Sequence, residues 1–305
     1  MTGGGGFLGT VLVRLLREKG CKDIRVPRSK SDDLRVLDNC VKVVHDRDVI
    51  FHLAANVGGI GYNLEKPGEL FYDNIAMGTN LMEAARKAGV DKMVALGTIC
   101  SYPCHTPTPF KEESIWDGYP EETNAPYGLA KKMLLVQSQA YRKQYDFNSI
   151  VLFPTNLYGP GDHFDPRYSH VIPGLIRKIN DAQQLGQNRI TVWGDGSPTR
   201  EFLYVDDAAR AIIMAAESYN KSEPVNIGSG EEISIRNLAN MLAEIMRFHG
   251  SLEWDKAKPN GQPRRQVDST KAYAEFGFAA QIPLSVGLRK TVDWFLSEEP
   301  TSKLS

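Results

Sequence analysis

Short apolar segments alternate with helix-like segments through the first half of the chain, and this alternation constrains the possible folds more than any other feature. The apolar runs at 49–54, 92–97 and 149–154 have the length of buried strands, whereas 75–88 and 127–145 are typical of helices. A helix between two strands lets those strands run parallel in one sheet. The sequence therefore predicts an α/β fold, a doubly wound parallel sheet with helices on both faces.

The pattern becomes irregular after Gly159, and we expect two units. Residues 1–158 form the larger unit, which begins with a helix at 9–19 and a strand at 24–27 (IRVP). Residues 159–305 form a smaller, interleaved α/β unit, of which 202–219 packs back onto the first. The elements expected after Gly159 are a helix at 169–181, a strand at 190–194, a strand and helix at 202–219 capped by Asp206 or Asp207, a strand at 224–228, a Ser234-capped helix ending near Arg247 and a helix at 283–297.

The charge balance removes one class of function. The 305 residues include 36 lysines and arginines and 37 aspartates and glutamates, which gives a formal net charge of −1. Such a balance gives no reason to expect nucleic-acid binding, and no apolar run approaches the ~18 residues of a membrane span. The four cysteines suit a reducing compartment, and the first residues lack the pattern of a signal peptide. We therefore expect a cytoplasmic protein without a nucleic-acid or membrane partner.

Gly3, Gly6 and Gly9 stand directly before the first predicted helix. Glycines at this spacing let the backbone turn tightly and approach a pyrophosphate, whose charge the helix N-terminus then holds. A flexible glycine-rich start is the alternative. Only Met1 and Thr2 precede the loop, whereas a doubly wound sheet has its central strand there. We expect the natural chain to begin several residues upstream.

The residues after the second predicted strand bear on the choice of cofactor. An acidic residue at that strand end favours a free ribose 2′-hydroxyl, whereas cations favour a 2′-phosphate. Arg28 and Lys30 stand there, so the sequence favours NADP(H) over NAD(H). Either cation alone is equally consistent with a solvated loop. Asp33 and Leu34 follow and are candidates to line the adenine pocket.

A tyrosine and a lysine four residues apart form the candidate centre for proton transfer. Tyr127 and Lys131 share one face of a predicted helix. A nearby ammonium lowers the pKa of a phenol, which can then exchange a proton with a sugar hydroxyl or ketone while hydride moves. Thr98 follows the strand at 92–97, where doubly wound sheets bind ligands, and its hydroxyl can contact the reacting oxygen. A hydroxyl that only bonds to the backbone is the alternative.

Seven motifs together resemble the extended short-chain dehydrogenase/reductase superfamily. They are TGGGGFLG (2–9), HLAANVGGI (52–60), LGTICSYP (96–103), PYGLAKK (126–132), PTNLYGPGDHFDP (154–166), SHVIP (169–173) and WGDGSPTREFLYVDD (193–207). Within the superfamily the chain is most similar to enzymes that epimerise and reduce GDP-4-keto-6-deoxyhexoses. The resemblance implies a Rossmann-type fold, NADP(H), and a GDP-sugar that is epimerised at C3 and C5 and reduced at C4, giving GDP-L-fucose or a close relative.

The resemblance also implies roles for individual side chains. Epimerisation beside the C4 ketone requires a base and an acid on opposite faces of the ring. The resemblance assigns these roles to Cys100 and His170, with Cys100 taken as the base. Tyr127 then donates the proton of the reduction beside Lys131, and Thr98 stands where the family has serine. A core cysteine and a histidine that only packs against or caps a helix are the alternatives.

The other assignments follow the same motifs. For the cofactor they are Gly3, Gly6, Phe7, Leu8, Gly9, Arg28, Lys30, Asp33, Leu34, Leu53, Ala54, Ala55, Tyr127, Lys131, Pro154, Asn156, Leu157 and His170. For the GDP-sugar they are Asn156, Lys178, Trp193, Arg200 and Arg265. Two alternatives stay open: Arg264 and Arg265 are plain surface charge, and Trp193 is a core residue. No metal is expected, because Cys104 and His105 lack a second ligand pair at metal-binding spacing.

Three other functions compete with this prediction. A dehydratase is disfavoured because Ile99 and Cys100 stand where dehydratases of the superfamily have an Asp-Glu pair. A redox-neutral sugar-nucleotide epimerase, similar to GDP-mannose 3,5-epimerase or to a 4-epimerase, is the nearest alternative. A nucleotide-binding protein without activity is disfavoured because binding alone requires neither Tyr127 nor Lys131. The resemblance further implies a homodimer formed through the helices at 75–88 and 127–145.

Overall fold

The computed structural model describes residues 1–166, 168–258 and 260–302. The α-helices in these ranges are α1 (Phe7–Glu18), α2 (Leu37–Val44), α3 (Ile60–Glu65), α4 (Pro67–Lys87), α5 (Ala125–Tyr145), α6 (Val171–Gln184), α7 (Val205–Ser218), α8 (Ile235–Ile245), α9 (Thr270–Phe276) and α10 (Leu284–Ser302). The strands are β1 (Val49–His52), β2 (Lys92–Leu96), β3 (Ser149–Pro154), β4 (Asn156–Tyr158), β5 (Arg189–Trp193), β6 (Thr199–Tyr204), β7 (Val225–Ile227), β8 (Glu232–Ser234), β9 (Ser251–Asp255) and β10 (Arg264–Arg265). Short 3₁₀ helices span Ile99–Ser101 and Glu112–Trp116.

Four parallel strands form the central sheet in the order β1-β2-β3-β7. Val94 of β2 pairs with Phe51 of β1 on one side and with Ile150 of β3 on the other. Every residue of β2 is buried, because helices cover the sheet on both faces. This is why the strand reads as a nearly continuous apolar run.

Helices pack on both faces of this sheet, as the alternation predicts. On one face α1 packs against α7, with Leu12 and Ile212 in the same buried cluster. On the other face α4 packs against α5, with Leu81 and Leu134 buried between them. The doubly wound α/β fold is therefore confirmed. Among the described residues no helix is both long and apolar enough to cross a bilayer.

The predicted strand at 24–27 does not form. Thr2 makes an isolated parallel bridge with His52 of β1, donating its backbone N–H to Phe51 and accepting from Leu53. The amino group of Met1 donates to the carbonyl of Arg25 at 2.8 Å. A strand requires a ladder of backbone hydrogen bonds with its neighbour. The bond from Met1 to Arg25 is the single one that Met1 and Thr2 make with residues 24–27.

Smaller sheets and a third buried cluster make up most of the region after Gly159. β6 is flanked by β4 and β10, both parallel, and pairs antiparallel with β8, while β5 pairs with β9. α6, α8 and α10 bury their apolar faces together around Ile176, Leu238 and Leu288. β6 runs directly into α7, so this strand connects the region to the helix layer of the central sheet.

Two local predictions differ from the structure. The N-cap of α7 is Tyr204, which makes no side-chain cap, rather than Asp206 or Asp207. Asp207 instead accepts hydrogen bonds from the backbone of Gln281 and Ile282, and this long-range contact replaces the local cap. The helix expected at 75–88 begins earlier, at Pro67, which is well suited to a first helical turn. The Ser234 cap of α8 is confirmed by its bond from the backbone of Asn237.

Candidate active site

The glycine loop folds tightly enough to exclude side chains. Gly3 has φ +69°, and a Cβ on it would lie 2.7 Å from the backbone nitrogen of Ala54. A Cβ on Gly9 would overlap the carbonyl of Gly3. Gly6 is the N-cap of α1 and makes no side-chain cap, so the first N–H groups of the helix stay available to an anion. Phe7 and Leu8 form the first helical residues, with Leu8 buried.

Arg28 lies against the same loop. A Cβ on Gly5 would overlap the Arg28 guanidinium, so the cation rests directly on the glycine backbone. A cavity of about 480 Å³ opens beside this contact, between α1 and residues 24–28. Lys30 is exposed in the following turn, and Asp33 is held by Arg35 at 2.7 Å next to the buried Leu34. Of the two predicted cations, Arg28 is the one that contacts the glycine loop.

The carboxyl ends of the parallel strands converge at one edge of the sheet, where α/β folds bind their ligands. The structure places six further cofactor candidates there. They are Leu53, Ala54 and Ala55 directly after β1, Pro154 at the end of β3, and Asn156 and Leu157 in β4.

Thr98, Tyr127 and Lys131 meet at this edge. Thr98 follows β2, and its side chain lies near the phenol of Tyr127 on α5. Burial raises the pKa of Tyr127, the nearby Cys100 raises it further, and the interaction with the Thr98 side chain partly offsets both effects. Lys131 is 2% exposed on the same face of α5, and burial lowers the pKa of its ammonium to about 8. Tyr127 is thus held protonated, as a proton donor requires.

Cys100 lies beside this group and faces two arginines. Arg265 Nη1 is 3.6 Å from Cys100 Sγ, within the range of a hydrogen bond to sulfur. Arg265 pairs directly with Arg200 across β10 and β6, and both side chains are half-buried. Burial and, to a smaller extent, the charge of Arg265 lower the pKa of Arg200 to about 10. Two like charges side by side favour binding of an anion between them.

His170 stands at the start of α6 with an exposed side chain that makes no cap bond. Desolvation by the surrounding protein lowers the pKa of its imidazole, and the charge of His163 lowers it further. The preceding residues pack on the VGGI segment, since Gly59 donates its backbone N–H to Tyr168 and a Cβ there would lie 2.9 Å from the Ser169 carbonyl. Among the described contacts none joins His170 to Cys100.

Lys178 and Trp193 lie on two neighbouring elements, α6 and β5. Lys178 of α6 donates to the carbonyl of Thr191 in β5 at 2.9 Å, and Trp193 ends the same strand. The Trp193 indole is 51% exposed, with the Lys258 ammonium 5.3 Å from its centre, so the core alternative for this residue is wrong. An exposed indole beside cations is suited to stacking on a nucleobase. Asn156 Nδ2 donates to the Glu201 carbonyl at 2.8 Å.

Comparisons with known proteins agree with this geometry. Residues 1–228 match the sequence profile of the NAD-dependent epimerase/dehydratase family. The chain belongs to this family. GDP-L-fucose synthase 1 of Arabidopsis thaliana is 39% identical, over 95% of this chain and 90% of that protein. GDP-L-fucose synthase of Escherichia coli (strain K12) is 35% identical over 96% and 95% of the two chains. The NADP-bound structure of a GDP-L-fucose synthetase from Naegleria fowleri superposes with a TM-score of 0.87, at 29% identity, over 98% and 94% of the chains.

The residues of this chain fit the dinucleotide cofactor of the epimerase/dehydratase family. The backbone at Gly3 and Gly9 leaves no room for a Cβ, which is the form a loop takes when a pyrophosphate must approach it. Arg28 then supplies a cation at the position expected for a 2′-phosphate. These residues are suited to NADP(H). No group of three or more metal-binding side chains occurs within the described residues.

Sequence reasoning missed three residues that build the site of this family member. Gly5 makes room for Arg28. Gln262 accepts from Arg265 Nε at 2.8 Å and so orients the guanidinium. Glu201 is fully buried, and its carboxylate accepts from the backbone of Gly230 and Val267. Gly5 was visible as a further glycine between Gly3 and Gly6, whereas no sequence motif marks the partners of Gln262 and Glu201.

Proposed function

We propose that the protein is an NADPH-dependent epimerase–reductase that converts a GDP-4-keto-6-deoxyhexose to GDP-L-fucose by 3,5-epimerisation and 4-reduction. One observation carries the proposal: the hydroxyl groups of Thr98 and Tyr127 and the Cys100 thiol belong to segments that lie together at the carboxyl edge of the sheet. The hydroxyl groups serve reduction and the thiol serves proton abstraction, so this edge of the sheet carries groups for both reactions. The names of the relatives support the GDP-sugar substrate.

In the proposed epimerisation, Cys100 and His170 act on opposite faces of the sugar. The Cys100 sulfur takes the proton from C3 or C5, so that an S–H bond forms, the C–H bond breaks and its electron pair moves to the ketone oxygen. His170 returns a proton to the same carbon from the other face, and exchange with solvent resets both groups. Arg200 and Arg265 hold the anionic diphosphate, Trp193 stacks on the base, and Lys178 and Asn156 contact the nucleotide sugar.

In the proposed reduction, Tyr127 donates its proton to the C4 oxygen. NADPH supplies the hydride to C4 when it is bound. Thr98 hydrogen-bonds to the same oxygen and fixes its position between the two hydroxyls. Lys131 stabilises the phenolate that forms when Tyr127 gives up its proton, because its ammonium is buried on the same helix face.

The experiment that tests this function mixes the purified protein with NADPH and GDP-4-keto-6-deoxy-D-mannose. Stoichiometric oxidation of NADPH, with GDP-L-fucose identified by NMR, is the expected result. Isomerised sugar without net oxidation would instead establish the redox-neutral epimerase. In that case cofactor would copurify with the protein rather than exchange with added NADPH.

The proposal includes the expected organisation of the molecule. Residues 1–158 bind the cofactor and 159–305 mostly bind the GDP-sugar, with α7 packed against α1. We propose a homodimer through α4 and α5, supported by the exposed Phe71, Tyr72 and Val136 on these helices. A mass of twice 33.9 kDa in light scattering is the expected result. The four unpaired cysteines support a cytoplasmic location.

A further inference from the structure

Cys100 is held in a fixed position between α5 and β10. Its backbone N–H donates to Thr98 Oγ1 at 3.2 Å, and its carbonyl occupies the space where a Cβ on Gly128 would lie. The neighbouring Ser101 hydroxyl donates to the Gly128 carbonyl at 2.8 Å. The backbone of Cys100 therefore cannot move far without disturbing α5, and this fixes the point from which its side chain extends toward Arg265.

The ionisable groups that face this sulfur are two cations and a neutral phenol. Arg265 approaches from β10, Arg200 from β6 and Tyr127 from α5. Tyr127 is held protonated by burial, so it adds no negative charge. Among the described residues no carboxylate contacts the Cys100 sulfur.

The carboxylates nearest to the two arginines have other partners. Glu121 interacts with Arg265 only through its charge and accepts hydrogen bonds from Thr123 and Asn124. Glu232 is paired with Arg264 at 2.6 Å and acts on Arg200 only through its charge. Among the described residues neither Arg200 nor Arg265 has an acidic partner in a salt bridge. A positive charge without a protein counter-ion remains next to the thiol.

We propose that Arg265 holds Cys100 as a thiolate and so makes this sulfur the base of the epimerisation. The inference rests on the function proposed above and assigns Arg265 a second role besides binding the diphosphate. A thiolate beside a guanidinium is stabilised by charge-assisted hydrogen bonding. The thiol proton passes to solvent, and the thiolate then accepts the proton of C3 or C5 while the C–H electron pair moves to the ketone oxygen. Arg265 is thus a positioning residue that acts through Cys100.

The test measures alkylation of the substrate-free protein by iodoacetamide as a function of pH, followed for the Cys100 peptide by mass spectrometry. The exposed Cys21 in the same sample is the internal reference. In Arg265→Gln and Arg265→Met we expect alkylation at pH 7 to slow about tenfold, and the midpoint of the pH profile to rise by about one pH unit. Arg265→Lys keeps the charge and should keep most of the rate.

Arg264→Gln is the matched control, because it removes the same charge one residue away, where the side chain pairs with Glu232. Its profile should match that of the unmodified protein. If a substitution only made the sulfur easier to reach, the alkylation rate at high pH would rise but the midpoint of the pH profile would not move. A change in access can therefore be distinguished from a change in the ionisation of Cys100. Unchanged NADPH binding shows that each variant is folded.

An unmoved midpoint in Arg265→Gln and Arg265→Met would overturn the proposal. If these variants lost only affinity for the GDP-sugar, Arg265 would be a substrate contact and nothing more, which also overturns it. A raised midpoint supports the Arg265–Cys100 interaction whatever the substrate is. Absence of deuterium exchange from a GDP-4-keto sugar in the unmodified protein would then count against the proposed function alone.

Discussion

The backbone of Cys100 packs directly on Gly128, the residue after Tyr127, so that the segments that carry the thiol and the phenol are fixed relative to each other. Gly128→Ala places a methyl group where the Cys100 carbonyl lies and must displace that segment. We expect deuterium exchange at C3 and C5 to fall by about a hundredfold, because a shift of ~1 Å is enough to misplace a catalytic group. Gly68→Ala is the control, since a Cβ at Gly68 meets open space within α4. Normal exchange in Gly128→Ala would contradict the fixed geometry.

The buried ammonium of Lys131 lowers the free energy of unfolding of the protein. Burial lowers its pKa from 10.5 to about 8, and at ~1.4 kcal/mol per pH unit this corresponds to a cost of about 3 kcal/mol. Lys131→Met should therefore raise the free energy of unfolding by roughly 2–3 kcal/mol while abolishing reduction. The folded-state pKa is the lower one, so the cost is complete below about pH 8 and is relieved as the pH rises toward 10.5. Denaturant unfolding at pH 7 and pH 10 measures this, and a destabilised variant at pH 7 would contradict it.

The choice of NADPH over NADH depends on Arg28 in this account. Arg28→Ala should reduce that preference by about tenfold to a hundredfold, the value of a charge-assisted contact to phosphate. Gly5→Ala should have a similar effect, because its Cβ takes the place of the guanidinium. Lys30→Ala removes the same charge without a contact to the glycine loop and is the control. The measurement is the dissociation constant of each nucleotide by fluorescence; an equal loss in Lys30→Ala would show that general charge, not the contact, selects the cofactor.

His170 must take up a proton before it can act as the acid. Its pKa is lowered in the free protein, so the neutral imidazole predominates at pH 7. We expect binding of the GDP-4-keto sugar at pH 7 to consume protons, and His170→Gln to abolish this uptake. Calorimetry in buffers of different ionisation enthalpy measures the number of protons. Binding without proton uptake would indicate that His170 is not the acid, and would favour the opposite assignment of base and acid.

The sequence predicted the parts of the fold that depend on local patterns. β2 and β3 are nearly continuous apolar runs because both of their faces are buried, and α8 is preceded by a serine that caps it. The prediction of a strand at 24–27 was wrong because a strand needs a ladder of backbone hydrogen bonds with a neighbour, and in the described part of the chain the Met1 amino group supplies a single such bond, to Arg25. The three-residue strand β8 and the two-residue strand β10 are too short to show a periodic pattern, although β10 places Arg265 at the sulfur.

The candidate site was predicted where motifs carry it and missed where long-range contacts build it. Tyr127 and Lys131 are visible as an i, i+4 pair. Glu201 gave no such sign, because the backbone groups that it binds belong to Gly230 and Val267, far along the chain. Arg264 and Arg265 are indistinguishable in sequence, and the structure separates them by pairing the first with Glu232 and directing the second to Cys100.

The central claim is that the Tyr127 phenol serves reduction and the Cys100 thiol serves epimerisation. The most direct test measures deuterium incorporation and NADPH oxidation together, for Tyr127→Phe and Cys100→Ser in deuterated water. Each variant is mixed with NADPH and GDP-4-keto-6-deoxy-D-mannose. We predict that Tyr127→Phe labels C3 and C5 but does not oxidise NADPH, whereas Cys100→Ser leaves both carbons unlabelled. Labelling at the normal rate in Cys100→Ser, or normal oxidation in Tyr127→Phe, would contradict the account.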